Sequence, residues 1–229
     1  QLISYELAMG MSLACIAMLT GTMKVTDFVI EQGKELWGTE SGPFSFVQNW
    51  HIFTPFGFLA AVIFLICMVA ETNRAPFDLP EAENELIAGY HTEYSSMKFA
   101  VFFMGEYAAI FVFSGIFAAV FLGGYNFLPL RWDELAQAYP SMAGFFEKMS
   151  SLNYYGAPLW FIGKCTAGLT FFIWLRATLP RLRYDQLMNL GWRSLLPLAV
   201  ANFVAIGAFH LTRVYLGSET LAYGIFTGV

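Results

Sequence analysis

Five acids, Glu71, Asp78, Glu81, Glu83 and Glu85, gather with one base, Arg74, in the stretch AETNRAPFDLPEAENEL that begins at Ala70. The run before it, IFTPFGFLAAVIFLICMVA, carries no charge at all. Three more ionisable side chains stand inside apolar runs: Glu6 in QLISYELAMG, Glu106 in FFMGEYAAIFVF and Lys164 in PLWFIGKCTAGLTFF. The chemistry such residues support is proton transfer. Carboxylates crowded together raise one another's pKa, and partial burial raises it further, so that some can hold a proton near neutral pH.

Local structure accounts for part of the cluster. Asp78 followed three residues later by Glu81 has the form of a capping box, with Pro80 in the first turn and Gly89 as a stop, which predicts a short helix over 79–88. Acids in a first turn are stabilised by the helix macrodipole by roughly 0.3 to 1 kcal/mol, which explains Asp78 and Glu81. It does not explain Glu85, which repeats a negative charge four residues after Glu81, or Glu71 at the end of an apolar run. Glu83 points away from both Glu81 and Glu85.

The deeper residues cost more. Glu106 lies eight residues past Lys98, about 12 Å along a helix, where a charge costs roughly 2.5 to 3.5 kcal/mol on the insertion scale. Intramembrane carboxylates and lysines face a bundle interior, pair with one another and mark proton or ion paths. Two readings therefore stand side by side, a buried ion pair that holds helices together and a proton path.

These residues must be positioned by membrane helices. Of the 229 residues 57% are hydrophobic and only 13% charged, against roughly 25% charged in an average soluble domain. The mean hydropathy is +0.56. A net charge of −5 provides no basic face for nucleic acid or anionic headgroups. Five segments have about 20 predominantly apolar residues, the length of a span: 3–23, 51–70, 99–122, 158–178 and 194–216. The fold class expected is an all-α polytopic transmembrane bundle, one integral membrane domain over 1–229 in contact with the lipid bilayer.

Alternating spans put loops 24–50 and 123–157 on one side, 71–98 and 179–193 on the other. The short loop RLRYDQLMNLGWR carries Arg181, Arg183 and Arg193, and short basic loops stay cytoplasmic, which makes the acidic loop 71–98 cytoplasmic too. Trp50, Tyr125 and Trp160 near one interface, and Tyr90, Tyr94, Tyr184 and Trp192 near the other, fit aromatic belts. In the long outer loop, RWDELAQAY and SMAGFFEKM predict two short helical turns.

Cys15, Cys67 and Cys165 stand singly, without metal-ligand spacing, and three cysteines cannot make the quartet an iron–sulfur cluster requires. They read as small buried hydrophobes. His51 and His210 fall near the same interface, the placement a haem pair would need, yet each is single on its span and reads as a satisfied polar residue. The chain starts at Gln1 with an apolar run and no basic flank, so a fragment lacking its N-terminus is expected and not a signal peptide.

The string AETNRAPFDLPEAENELIAGYHTEYSSMKFAVFFMGEYA closely resembles the most characteristic segment of the H-subunit family of bacterial NADH:quinone oxidoreductase, respiratory complex I, the counterpart of mitochondrial NADH dehydrogenase subunit 1. ISYEL, the GK of the fourth span and WLRATLPRLRYDQLMNLGWRSLLPL are similar to further segments of that family. The resemblance implies eight transmembrane helices, of which this chain would hold the last five, in the inner (plasma) membrane of a bacterium.

It also implies a role: the membrane wall of a quinone chamber, facing soluble partner subunits that carry FMN and iron–sulfur clusters, with no metal or redox centre in this chain and quinone, ubiquinone or menaquinone, as substrate. The charged funnel of the family falls on Glu6, Glu71, Arg74, Asp78, Glu81, Glu83, Glu85, Glu93, Glu106 and Lys164. Arg181, Arg183 and Asp185 match its second cytoplasmic loop. Glu6, Glu71, Glu81, Glu83, Glu85, Glu106 and Lys164 are the expected proton relay towards antiporter-like membrane subunits. Arg74, Asp78, Glu93, Arg181, Arg183 and Asp185 are expected at the quinone chamber and its interface.

Two alternatives remain at this point. One is the equivalent membrane anchor of an energy-converting hydrogenase or formate hydrogenlyase. The other is a proton-coupled transporter, which Glu6, Glu106 and Lys164 alone would suit.

Overall fold

The computed structural model describes residues 2–34, 47–74, 76–77 and 96–216. In lipid an apolar stretch must close its own backbone hydrogen bonds, and within one segment only the helix does so. The described residues accordingly form α1 (Leu2–Thr20), α2 (Val25–Gln32), α3 (Pro55–Glu71), α4 (Met97–Phe121), α5 (Trp132–Ala138), α6 (Ala143–Tyr155), α7 (Ala157–Thr178), α8 (Tyr184–Asn189) and α9 (Leu196–Leu216). The all-α class expected from the sequence is the one observed. Extended pairing among the described residues amounts to an isolated bridge between Val47 and Leu130.

Among the described residues, four helical stretches are long and apolar enough to cross a membrane: Ile3–Thr20, Met97–Phe121, Ala157–Thr178 and Tyr184–Thr212. The fifth expected span, 51–70, is a shorter helix of 17 residues. It starts at Pro55 because Thr54 caps it, the Oγ1 accepting from the Gly57 N–H at 3.1 Å, and proline suits a first helical position. Ahead of it, His51–Phe53 form a 3-10 turn.

The expected loop 179–193 is largely helical. The Gln186 side chain accepts the Arg183 backbone N–H at 3.3 Å, and α8 begins at Tyr184. Leu190–Leu195 then take π-helical geometry and lead without a break into α9. Gly191 in this segment lies so close to α1 that a Cβ there would come within 2.9 Å of Ser4 Oγ. The two turns expected in the long loop are α5 and α6. The helix expected over 79–88 lies outside the described residues.

Packing divides the bundle into a trio and a pair. α1 packs on α3 and α9, α4 packs on α7, and α3 joins the two groups through α4. Phe64 of α3 sits 6.2 Å from Phe117 and 5.6 Å from Phe121 of α4, centroid to centroid. Tyr5, Ile16, Ile63, Ile206 and Phe209 complete a buried core. Between α4 and α7, Gly168 lets the helices approach so closely that a Cβ would come within 2.8 Å of Ser114. Small residues serve helix contacts in membranes in this way, since lipid tails are as apolar as any side chain.

Candidate functional site

The first turns of α1, the end of α3 and the first half of α4 meet at one end of the bundle. Glu6 is exposed on α1. Glu71 closes α3, and its carboxyl is near enough to Glu6 to feel that charge. Its Oε2 is buried without a hydrogen-bond partner among the described residues. Two residues later the chain turns through Asn73 in a left-handed conformation, φ 47°. That turn is what brings Arg74 inward.

Arg74 is 5% exposed at its side chain and donates from Nη2 to Glu106 Oε2 at 3.1 Å. Its guanidinium carbon lies 4.9 Å from the centre of the Tyr107 ring, within range of a cation–π contact. Glu106, 38% exposed, opens onto a groove of about 640 Å³ lined by Met97, Lys98, Val101, Phe102, Gly105 and Ala109. The cost of a charge in an apolar run singles out Glu106 in the sequence, but nothing there names its partner. A buried guanidinium held by one carboxylate keeps that acid ionised, and a second pair of acids, Glu71 and Glu6, stands within reach of each other's charge.

The same end holds the second loop. Leu182 N–H donates to Pro76 O at 3.0 Å, and Arg183 and Asp185 are exposed nearby along with Arg181. Tyr5, which sequence reasoning left without a role, ties three elements together. Its hydroxyl donates to Leu187 O of α8 at 2.8 Å, and its ring meets Phe77 edge-on at 5.7 Å. The only signal for it was its place beside Glu6 in ISYEL. Asp78, Glu81, Glu83, Glu85 and Glu93 lie outside the described residues.

Lys164 is not brought to this end. It serves the other end of α4, where the last helical carbonyls would otherwise lack partners. Gly123 and Gly124 adopt positive φ, 71° and 55°, and the Gly124 N–H returns to Ala118 O at 2.9 Å. Ala119 O accepts from Gln32 Nε2 of α2 at 2.9 Å. Val120 O accepts from His51 Nδ1 at 2.7 Å. Leu122 O accepts from Lys164 Nζ, which also donates to Gly124 O at 3.0 Å and Asn126 O at 2.6 Å.

His51, in the turn ahead of α3, is 1% exposed. Burial pushes its imidazole below the ordinary value of 6.5, with the Val120 hydrogen bond and the charge of Glu31 acting the other way. A neutral ring with its proton on Nδ1 satisfies the observed bond. Cys15, Cys67 and Cys165 are buried free thiols. Among the described residues, no three His, Cys, Asp or Glu side chains gather as a metal site would require.

Long apolar helices with acids and a buried arginine at one end define a multi-pass α-helical membrane protein. The chain belongs to the NADH dehydrogenase family, whose pattern matches residues 1–207. Its relatives include the NADH-quinone oxidoreductase H-subunit of Flavobacterium johnsoniae, 43% identical over 92% of this chain and 53% of the relative. The H-subunit of Flavobacterium psychrophilum is 45% identical over 90% and 53%. NADH-quinone oxidoreductase subunit 8 of Rhodothermus marinus is 42% identical over 90% and 55%. The chain spans about half the length of the curated relatives it matches.

Proposed function

We propose that this chain works as part of the membrane subunit of a proton-pumping NADH:quinone oxidoreductase in a bacterial inner membrane, beside soluble quinone-site subunits and antiporter-like membrane subunits. Its residues wall the quinone chamber and carry a carboxylate relay. The observation that carries the reading is the Arg74–Glu106 ion pair, formed just past the end of the helix that carries Glu71, whose carboxyl feels the charge of Glu6. The names of the relatives favour quinone over the hydrogenase and transporter alternatives.

Quinone reduction takes up two electrons and two protons, and so changes charge where the surroundings screen it poorly. Coulomb energies there are several-fold larger than in water. The electrons come from FMN and iron–sulfur centres of partner subunits. In this reading Arg74, Asp78, Glu93, Arg181, Arg183 and Asp185 belong to the quinone chamber and its interface, and Glu81, Glu83 and Glu85 to the relay. A change in charge there alters the balance at the Arg74–Glu106 pair and, through it, moves protons among Glu71, Glu106 and Glu6. Coupled acids of this kind titrate as a group. Lys164, at the far end of α4, is left out of the relay.

The test is substitution of Glu106→Gln or Glu81→Gln, followed by quinone reductase activity and proton pumping in the assembled complex. Both rates fall if the acids relay protons. Undiminished rates for both overturn the reading, and loss of assembly alone assigns the acids to a structural ion pair instead.

A further inference from the structure

We propose that Lys164 is a fixed cation that clamps the C-terminal end of α4, and not a proton carrier, its ammonium filling a cage made by three backbone carbonyls and the face of Trp50. A lysine within an apolar run invites a reading as a proton or ion site. Its coordination argues otherwise. An ammonium has three N–H donors and no acceptor, and here three carbonyls, of Leu122, Gly124 and Asn126, receive them. The Trp50 ring covers a further side, with Nζ 4.3 Å from its centroid.

Every donor is thus directed at an amide oxygen, a group that accepts a hydrogen bond without taking up the proton. A carrier needs a partner for its proton, yet the relay candidate on α4 is remote, since Leu122 follows Glu106 by 16 positions, or about 24 Å along a helix, and His51, an ionisable group at this helix end, has its Nδ1 engaged by Val120 O. The position instead matches what a helix C-terminus requires. Orphan carbonyls and a partial negative charge of about half an electron both favour a cation there.

The surrounding residues are built to hold the cage. Gly123 faces Trp50 so closely that any Cβ would overlap the indole, and Trp50 Nε1 is itself fixed by Gln48 Oε1 at 3.0 Å. Gln32 and His51 take the two carbonyls next in line from α2 and the turn before α3. Lys164 adds α7, so that side chains from three separate elements close one helix end. The ligand class of the cage is a primary ammonium, supplied by the chain itself.

The proposal goes beyond the relay reading and stands or falls separately. Lys164→Ala is made in the complete membrane complex, and its melting temperature and the protons moved per quinone reduced are measured, alone and with ethylammonium or tetramethylammonium chloride. The clamp predicts a melting temperature lower by roughly 2 °C or more, an unchanged proton-to-quinone ratio, and recovery with ethylammonium but not with tetramethylammonium, which has no N–H. An unaltered melting temperature, a fallen ratio, no gain with ethylammonium or equal gain with both salts overturns it. If that variant does not assemble, Trp50→Leu decides: a lower melting temperature with the ratio intact supports the cage, and any other result overturns it.

Discussion

Arg74 and Glu106, 32 residues apart in sequence, form a hydrogen-bonded ion pair at 3.1 Å in which the guanidinium is almost wholly buried and the carboxylate opens onto a groove. A pair with one buried and one accessible partner is unequal. Losing the carboxylate strands a buried charge, whereas losing the arginine leaves an acid that solvent or another group can reach.

On the function proposed, Arg74→Leu is expected to leave the complex assembled and to slow quinone reduction by roughly 10- to 100-fold, since a hydrogen bond to a charged group contributes about 1.5 to 3 kcal/mol. Arg74→Lys should recover part of the rate, the compact ammonium keeping the charge but losing the fork. Steady-state quinone reductase assays on membranes normalised for complex content give the answer. A rate within about twofold of the parent for Arg74→Leu would remove the pair from the mechanism.

Tyr5→Phe deletes the hydroxyl that joins α1 to Leu187 O while keeping the ring against Phe77. We expect a loss of about 1 kcal/mol, the typical net value of one such bond, seen as a lower melting temperature of the purified complex. The quinone reductase rate per assembled complex should stay the same. An unaltered melting temperature would show that the bond is replaced by water.

How much of this was legible in the sequence depends on what each contact is made from. Glu106 could be found because a carboxylate in an apolar run carries a known cost. Its partner could not, because the turn at Asn73 that swings Arg74 inward sets a tertiary geometry with no spacing rule behind it. Lys164 was equally conspicuous, yet its partners are carbonyls, which have no residue identity and leave no mark in a sequence. The helices themselves were read from apolar length, while their ends were fixed by single hydrogen bonds from Thr54 and Gln186. Such bonds place α3 later and α8 earlier than hydropathy does.

Gly123→Ala puts a side chain on a residue with φ 71°, at a cost of roughly 1 to 2 kcal/mol, and drives its methyl into Trp50. Less assembled complex should be recovered on native gels. Gly163→Ala is the control: its Cβ would meet nothing within 4 Å, and alanine is the better helix former. Equal yields from the two variants would rule out the tight fit at Gly123.

The His51 ring gives a pH signature with a defined sign. Its folded pKa lies below the ordinary 6.5 because burial disfavours the charged form, so the unfolded chain binds the proton more readily. Stability from this residue is complete above the ordinary value and is lost as the pH falls below it. His51→Gln, which keeps a donor for Val120 O, should flatten the decline of melting temperature between about pH 7.5 and about pH 5.5. Parallel declines for parent and variant would count against the assignment.

The two ends of α4 are secured in different ways, and the difference gives the helix a mechanical bias. From Ala119 to Asn126, at its C-terminal end, it is bolted to three neighbouring elements; near Glu106 an ionic contact to Arg74 restrains it. Were that contact to loosen when charge arrives, the rod would swing about its bolted tip, and over a lever arm of about 24 Å a tilt of roughly 5° carries Glu106 about 2 Å. That stroke is long enough to break one hydrogen bond and offer the carboxylate to another.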